Sequence, residues 1–393
     1  MELDMITLKE KDAKYVAGTY ARFPVEIKNG MGSELYSADG KRYIDMGSGI
    51  GVTAFGIADI EWVTAVTEQL TKVQHTSNLY FTDPCADVAE LLCERTGMKK
   101  VFFGNSGAEA NECAIKVARK WGEDNLGADH YTIVTMKNSF HGRTVTTLAA
   151  TGQDHYHEHF GPMTAGFVHA DIEDLEGVEK LIAEHKACAV MFECIQGEGG
   201  VIPLSADFVR GLEALARKHG ILLIVDEVQT GNGRTGELYA YMNYGITPDI
   251  VSTAKGLGGG LPVGACLLGE RVADTLKPGD HGSTYGGNPV CCAGALSILS
   301  RLDRSFLDSV KAKSRLVFET LEGKEGIESV CGAGLMIGIK TTRPAKDVVA
   351  DCMEKGVLCL TAKDKVRLLP ALNIPEELLL EALSVILSAA KKK

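Results

Sequence analysis

Short apolar runs alternate with amphipathic segments through the middle of the chain. The runs place apolar residues at consecutive positions, which is typical of strands covered on both faces. They predict strands at residues 100–103, 131–136, 188–193, 221–226, 249–254 and 264–268. Between them, apolar residues recur at helical spacing over 108–121 and 206–219, and Gly220 follows the second segment where a helix C-cap is expected. The alternation predicts an α/β fold with a mostly parallel sheet wrapped by helices.

The pattern changes toward both ends of the chain. Further short strands are predicted at 34–36, 42–45, 334–340 and 366–369. The first two flank the turn-forming pair Asp39 and Gly40, which indicates a hairpin. From about residue 288 onward, long helical segments dominate. We therefore predict an N-terminal segment (1–51) that joins a small domain, a large domain that contains the parallel sheet (52–287) and a C-terminal small domain (288–393).

The charge and the cysteine pattern exclude several classes of protein. The formal net charge is −11, whereas a nucleic-acid surface needs clustered positive charge. The 11 cysteines include no CxxC pair, which favours reduced thiols and disfavours a zinc site. The N-terminal residues show no apolar signal core, and the longest apolar runs are too short to cross a bilayer. We expect a soluble, cytoplasmic protein that binds neither nucleic acid nor membrane.

One candidate anion site lies where the first of these strands leads into a helix. Small residues at Gly104, Ser106 and Gly107 let the backbone approach a ligand, and the free N–H groups of a helix start attract phosphate. A simpler alternative is a capping box, in which Ser106 and Glu109 only start the helix. These residues alone leave both interpretations open.

Two more candidates close later apolar strands. Asp226 could hold a cationic ring nitrogen such as a pyridinium N–H, and the alternative is a metal-binding or solvated carboxylate pair with Glu227. Lys255 precedes the glycines at 258–260, and desolvation there would favour the neutral amine that imine formation needs. The alternative for Lys255 is a surface lysine at a strand end. The ligands of parallel sheets lie beyond the carboxyl ends of the strands, where all these candidates fall.

Taken together, the motifs resemble one enzyme family along nearly the whole chain. The matching segments are YARFP at 20–24, SGAEANE at 106–112, SFHGRT at 139–144, QGEGG at 196–200, DEVQTG at 226–231, KGLGGG at 255–260 and GSTYGGNP at 282–289. Their order is similar to that of class-III (ω-amino) aminotransferases, and within them to the acetylornithine aminotransferases. The resemblance implies the type-I fold of enzymes that depend on pyridoxal 5′-phosphate (PLP), with a smaller α+β domain built from both termini. One departure is Cys194, where the family usually has proline.

The resemblance also implies how the cofactor is held. It assigns the phosphate to Ser106, Gly107 and Ala108, and the two faces of the ring to Phe140 and Val228.

The remaining cofactor contacts are implied in the same way. Asp226 pairs with the ring nitrogen, and Gln229 approaches the ring hydroxyl. Lys255 carries the cofactor as a Schiff base and shuttles the proton between substrate and cofactor. Thr284 reaches the cofactor phosphate of a neighbouring subunit, so a homodimer with shared active sites is expected.

For the substrate, the resemblance implies that Tyr20, Arg143 and Ser283 hold a carboxylate. Glu198 and Arg367 form a hypothetical switch. An ω-amine brings no carboxylate beside its reacting carbon, so Glu198 neutralises the buried arginine. The α-carboxylate of 2-oxoglutarate can then replace Glu198 on Arg367 in a bidentate contact.

The implied reaction is a ping-pong transamination between N2-acetyl-L-ornithine and 2-oxoglutarate. It gives N-acetylglutamate 5-semialdehyde and glutamate, a step of arginine biosynthesis. Ornithine, succinylornithine or 4-aminobutyrate remain alternative donors, because the pocket walls distinguish them and not the cofactor residues. A glutamate-1-semialdehyde aminomutase is a rival within the same fold. A regulatory PLP-binding domain is a non-enzymatic rival, but we find no basic segment that would bind DNA.

Two other patterns have simpler explanations. Residues 231–236 match GxGxxG, yet no helix pattern or ribose-binding acid follows at the required distance, so we predict a loop. His155, His157 and His159 could suggest a metal site. They lie between Gly-containing turns, and we predict a polar loop and no metal.

Overall fold

The computed structural model describes residues 6–391, so the first five and last two residues of the predicted terminal segments lie outside it. The helices are α1 (Leu8–Tyr15), α2 (Ser48–Gly51), α3 (Ile60–Leu70), α4 (Asp83–Thr96), α5 (Gly107–Asn125), α6 (Val145–Ala150), α7 (Leu175–Glu184), α8 (Ala206–His219), α9 (Pro289–Leu299), α10 (Arg304–Leu321), α11 (Ala345–Glu354) and α12 (Glu376–Lys391). The strands are β1 (Ile27–Met31), β2 (Glu34–Ser37), β3 (Arg42–Asp45), β4 (Lys100–Gly104), β5 (Thr132–Met136), β6 (Phe167–Ala170), β7 (Ala187–Phe192), β8 (Ile195–Gln196), β9 (Ile202–Pro203), β10 (Leu222–Asp226), β11 (Ile250–Thr253), β12 (Gly264–Leu268), β13 (Ile327–Ala333), β14 (Met336–Thr341), β15 (Val357–Leu358), β16 (Leu360–Ala362) and β17 (Lys365–Leu368).

A seven-stranded sheet in the order β4-β12-β11-β10-β7-β5-β6 forms the centre of the fold. Its strands run parallel except for β12, which is antiparallel to both of its neighbours. The strands β5, β7, β10 and β12 are buried along their whole length. Their uninterrupted apolar sequences follow from that burial, and the predicted mostly parallel α/β sheet is confirmed.

All six predicted central strands are present, with each end within one residue of the expected position. The strand β6 was not predicted. It lies at the sheet edge and is only half-buried over its first three residues, so its sequence lacks a long apolar run.

The two predicted helices cover this sheet. The helix predicted at 108–121 is α5, which begins one residue earlier and continues to Asn125. The helix α8 has the predicted bounds, and Gly220 caps it with φ +69°, a conformation that glycine adopts without steric strain.

The two ends of the chain meet in smaller sheets. The predicted hairpin is β2 and β3, with Gly40 at φ +84° in its turn. The strand β3 pairs in parallel with β15, so the N-terminal segment shares a sheet with the C-terminal region. A second sheet has the order β13-β14-β17-β16 and contains the strands predicted near 334–340 and 366–369. The proposed domain boundaries at residues 51 and 287 remain a prediction.

The loop predicted at 231–236 is confirmed, because these residues form consecutive turns. Arg234 within it is buried and donates hydrogen bonds to the carbonyls of Leu335 (3.1 Å) and Pro370 (2.6 Å). The loop therefore ties the central sheet to the C-terminal region. Across the described part of the chain, every helix is too short or too polar to span a bilayer.

Candidate active site

A cavity of about 520 Å³ opens at the carboxyl ends of the central strands. This is the edge at which an open parallel sheet binds its ligands. Most of the predicted site residues line it, namely Tyr20, Ser106, Gly107, Ala108, Phe140, Arg143, Glu198, Asp226, Val228, Gln229 and Lys255. The fold thus brings together segments that are more than 200 positions apart in the sequence.

Asp226 is the buried anion of the cavity, with 3% of its surface exposed. Its Oδ2 accepts a hydrogen bond from Asn111 Nδ2 at 2.7 Å and lies 2.8 Å from His141 Nδ1. Its Oδ1 accepts the backbone N–H of Val228 at 2.9 Å. Because one carboxylate is held from three directions, it is oriented to pair with a cationic group in the cavity.

Asn111 and His141 were not predicted as site residues. Both lie inside motifs that were recognised, at 106–112 and 139–144, and both are 1% exposed. The signal that could have found Asn111 is a polar residue on the apolar, buried face of a helix, where a side-chain partner is required.

Lys255 follows β11 and lies in the cavity wall. Its backbone has φ +48°, an uncommon conformation for a residue with a side chain. Burial lowers the pKa of its amine, although the nearby Glu198 carboxylate acts in the opposite direction. No residue in 6–391 forms a hydrogen bond with Nζ. The amine is thus placed to react with a ligand in the cavity.

The start of α5 is capped by a side chain and also leaves backbone N–H groups open to the cavity. Ser106 Oγ caps the helix by accepting the N–H of Glu109 at 3.2 Å, and Glu109 Oε2 accepts the N–H of Asn105 at 2.8 Å. Ser106 therefore caps the helix, whereas Glu109 binds the backbone of the residue before the cap, so the reciprocal capping box is not formed. Capping leaves the N–H groups of Gly107 and Ala108 without a partner among the described residues, and both residues line the cavity. Free N–H groups at a helix start can bind an anion such as phosphate.

Glycine is required at position 107 for packing. A Cβ there would lie 2.5 Å from Cγ1 of Val228 and 2.9 Å from its Cγ2. Val228 therefore packs directly against the first turn of α5, so the apolar wall and the candidate anion site adjoin each other.

Glu193 supports two loops of the site and was not predicted. Its Oε1 accepts the N–H of Phe140 at 2.9 Å, and its Oε2 accepts the N–H of Gly197 at 3.1 Å. Burial raises the pKa of Glu193 to about 7, with His141 lowering it and Asp226 raising it to smaller extents. The residue follows the buried strand β7, where a carboxyl group is a sequence signal for a site.

Glu198 and Arg367 form the predicted ion pair. Arg367 Nη1 donates to Glu198 Oε1 at 2.5 Å, and the arginine side chain is 4% exposed. Gln229 joins the pair, because Arg367 donates to its Oε1 at 3.3 Å and its Nε2 lies 3.4 Å from Glu198 Oε1. Burial raises the pKa of Glu198, but the Arg367 charge outweighs it and the net pKa is lowered. The Arg367 guanidinium therefore favours the carboxylate form of Glu198.

The cavity mouth carries an exposed cation. The guanidinium of Arg143 lies 4.8 Å from the ring centre of Tyr156 and 5.8 Å from that of Phe140. No carboxylate pairs with it in the part of the chain that the structure describes. Tyr20, which is 75% exposed, contributes to the same wall. This arrangement can bind a substrate carboxylate.

Ser283 and Thr284 do not line the cavity. Ser283 Oγ accepts a hydrogen bond from Asn105 Nδ2 at 3.0 Å and so contacts the site through one residue. Thr284 is exposed on the surface.

Two of the three histidines near residue 157 make local structural contacts. His157 Nε2 lies 2.8 Å from the carbonyl of Thr151 and 2.9 Å from that of Leu148, while the ring of His155 packs at a tilt against Tyr156. Among residues 6–391, no group of three or more His, Cys, Asp or Glu side chains could hold a metal ion.

The chain is similar to known proteins over nearly its full length. The family model described as aminotransferase class-III matches residues 15–390. An acetylornithine aminotransferase from Haemophilus ducreyi is 49% identical, with 96% of this chain and 97% of the relative covered.

Solved structures agree with this similarity. The ornithine aminotransferase from Toxoplasma gondii, with partial occupancy of PLP at its active site, superposes with a TM-score of 0.93 at 31% identity, covering 99% of this chain and 96% of that one. The N-acetylornithine aminotransferase from Stenotrophomonas maltophilia superposes with a TM-score of 0.82 at 34% identity, covering 94% and 96%. The chain belongs to the class-III aminotransferase family.

Proposed function

We propose that the protein transfers an amino group from N2-acetyl-L-ornithine to 2-oxoglutarate, giving N-acetylglutamate 5-semialdehyde and glutamate. This would be a step of arginine biosynthesis. The observation that carries the proposal is one cavity lined by an anchored carboxylate, Asp226, a free amine, Lys255, and Glu198, which pairs with the buried Arg367. The acetylornithine aminotransferases among the relatives support the choice of donor.

The residues of the cavity fit pyridoxal 5′-phosphate. The N–H groups of Gly107 and Ala108, with Ser106 beside them, would bind the phosphate. Asp226 would pair with the ring nitrogen.

The rest of the cavity wall fits the ring of the cofactor. Phe140 and Val228 would cover the two ring faces, and Gln229 would approach the ring hydroxyl. When bound, this cofactor withdraws electrons from the substrate carbon that carries the amino group.

Lys255 would hold the cofactor and move the proton. Burial lowers the pKa of its amine, so a larger fraction of Nζ is neutral and able to accept a proton from the amino-bearing carbon. The amine has no hydrogen-bond partner within the described residues that would compete for this role.

Arg143 and Tyr20 would hold the remote carboxylate of the donor at the cavity mouth. Ser283 would contribute indirectly, through its hydrogen bond with Asn105 in the cavity wall. Glu198 would cover Arg367 while an ω-amine is bound. It would move away when the α-carboxylate of 2-oxoglutarate arrives, because a carboxylate can take over both N–H groups of the guanidinium. One cavity would thus serve two substrates with different charge near the reacting carbon.

We also propose a homodimer in which Thr284 approaches the cofactor phosphate of the partner subunit. Large apolar side chains are exposed near this segment, at Leu79, Tyr80, Phe81 and Tyr285. Such a patch is typical of a surface that another chain covers. Sedimentation is expected to give twice the chain mass, and a monomer with full activity would contradict the shared site.

The reaction is tested with a panel of amino donors and 2-oxoglutarate, measuring the glutamate formed. N2-acetyl-L-ornithine is expected to give a higher kcat/KM than ornithine, succinylornithine or 4-aminobutyrate. Lys255→Ala is expected to abolish turnover and the visible absorption of the bound cofactor, whereas Lys340→Ala, a surface lysine on β14, should leave both unchanged. Absence of glutamate with every ω-amine would refute the proposal, and isomerisation of a single substrate would favour the aminomutase instead.

A further inference from the structure

The hairpin loop 197–201 carries Glu198 and lies against the second sheet. It connects β8 and β9, which pair in antiparallel fashion. Its C-terminal residue, Val201, is fully buried in a small cluster that also contains Ile195, Met336 and Leu369. The position of Glu198 therefore depends on how this loop is held.

The end of the loop has an unusual backbone. Gly200 has φ +115° and Val201 has φ +51°. Glycine tolerates such values, but a β-branched residue with positive φ is strained and persists only when its surroundings hold it. The strained residues lie two and three positions after Glu198. The contacts that hold Val201 in this conformation therefore also position Glu198.

Two side chains hold the loop by its carbonyl oxygens. Lys365 Nζ donates to the carbonyl of Gly200 at 2.9 Å and to Cys331 Sγ at 3.2 Å. Cys331 Sγ in turn donates to the carbonyl of Val201 at 3.0 Å. Lys365 has no carboxylate partner among residues 6–391, so its hydrogen bonds are directed to the loop and to the thiol that supports it.

A glycine in the second sheet, Gly338, leaves room for these contacts. Gly338 on β14 lies opposite Cys331 on β13 and opposite Arg367 on β17. A Cβ at this glycine would lie 2.8 Å from Cβ of Val201, 3.0 Å from Cys331 Sγ and 3.2 Å from Cδ of Lys365. The gap at Gly338 lets the loop and both anchoring side chains pack together.

Lys365 and Arg367 are two positions apart on β17 and therefore face the same side of the sheet. The first contacts the backbone of the loop, and the second contacts the Glu198 side chain. We propose that Lys365, supported by Cys331, is a positioning residue that keeps the loop in place while Glu198 leaves and rejoins Arg367. The inference rests on the proposed two-substrate function.

The proposal predicts an asymmetric effect of Lys365→Met, which removes the amine but keeps most of the apolar stem. With an ω-amino donor bound, Arg367 needs Glu198 in place, so kcat/KM for N2-acetyl-L-ornithine should fall about tenfold, the size of one lost hydrogen bond involving a charged group. With L-glutamate, the α-carboxylate of the substrate pairs with Arg367, so kcat/KM depends less on the position of the loop 197–201. The ratio of the two kcat/KM values should therefore shift toward L-glutamate.

The experiment measures both half-reactions by single turnover of the cofactor-loaded protein. Lys340→Met on the neighbouring strand β14 is the matched control and should keep the wild-type ratio. Lys365→Arg, which can still donate to the carbonyl of Gly200, should restore most of the ratio. Equal losses with both substrates in Lys365→Met would overturn the proposal.

A double variant distinguishes an effect of Lys365 through Glu198 from a nonspecific effect on the folded protein. In Glu198→Gln the charge that pairs with Arg367 is already lost. Adding Lys365→Met to this variant should therefore not shift the ratio of the two kcat/KM values further. A full additional shift there would show that Lys365 does not act through Glu198. If the wild type itself transfers no amino group from any ω-amine, the proposed function fails. If the wild type does so and only the Lys365 effects are missing, the inference fails alone.

Discussion

Replacing Glu198 with glutamine is expected to change which amino donors the protein accepts. Glutamine has the same shape and can still accept a hydrogen bond from Arg367, but it removes the negative charge. Arg367, whose side chain is 4% exposed, would then lose the carboxylate that its Nη1 contacts at 2.5 Å in the wild type. A substrate that brings its own carboxylate restores the balance, whereas an ω-amine does not.

The size of the effect follows from the burial of the pair. Removing one partner of a buried ion pair typically costs about 3–5 kcal/mol. Here the Glu198 side chain is 27% exposed and glutamine keeps one hydrogen bond, so a smaller loss is expected. A charged hydrogen bond contributes about 1.5–3 kcal/mol, and glutamine weakens this bond without removing it, so the loss in kcat/KM for N2-acetyl-L-ornithine has an upper bound of about 10–100-fold.

The assay compares single-turnover kcat/KM values for N2-acetyl-L-ornithine and L-glutamate. The ratio should move toward L-glutamate in Glu198→Gln and stay at the wild-type value in Glu270→Gln, a surface control whose side chain is 82% exposed. Melting temperatures of the two variants identify any loss of folded protein. An unchanged ratio in Glu198→Gln would refute the charge-swap reasoning, whatever happens to the absolute rates.

Two further predictions concern the cofactor site and its support. Gly107→Ala should weaken binding of pyridoxal 5′-phosphate about tenfold or more in a fluorescence titration, because the new Cβ would lie 2.5 Å from Val228 Cγ1; unchanged affinity would contradict the close packing. Burial raises the pKa of Glu193 from 4.5 to about 7, so the folded protein binds more protons than the unfolded chain between these pH values. In urea unfolding, the stability of the wild type relative to Glu193→Gln should therefore fall as the pH rises from 4.5 to 7. A stability difference that does not change with pH would argue against a buried, protonated Glu193.

The sequence was informative where local pattern decides structure. Buried strands need consecutive apolar residues, so six of the seven strands of the central sheet could be located within a residue at each end. Parallel strands bring their carboxyl ends to one edge, which is why Asp226 and Lys255 could be assigned to one site. Locating these residues required no knowledge of which side chains touch.

The tertiary structure alone decided which side chains surround these two residues. Asn111 and His141 reach Asp226 across 115 and 85 positions, and Lys365 reaches the carbonyl of Gly200 across 165. Such contacts depend on how helices, loops and the second sheet pack over the strand ends. Hydrophobic periodicity records only whether a position is buried, and not which distant residue is its neighbour, so the support of the carboxylate and the anchoring of the Glu198 loop appear only in the folded chain.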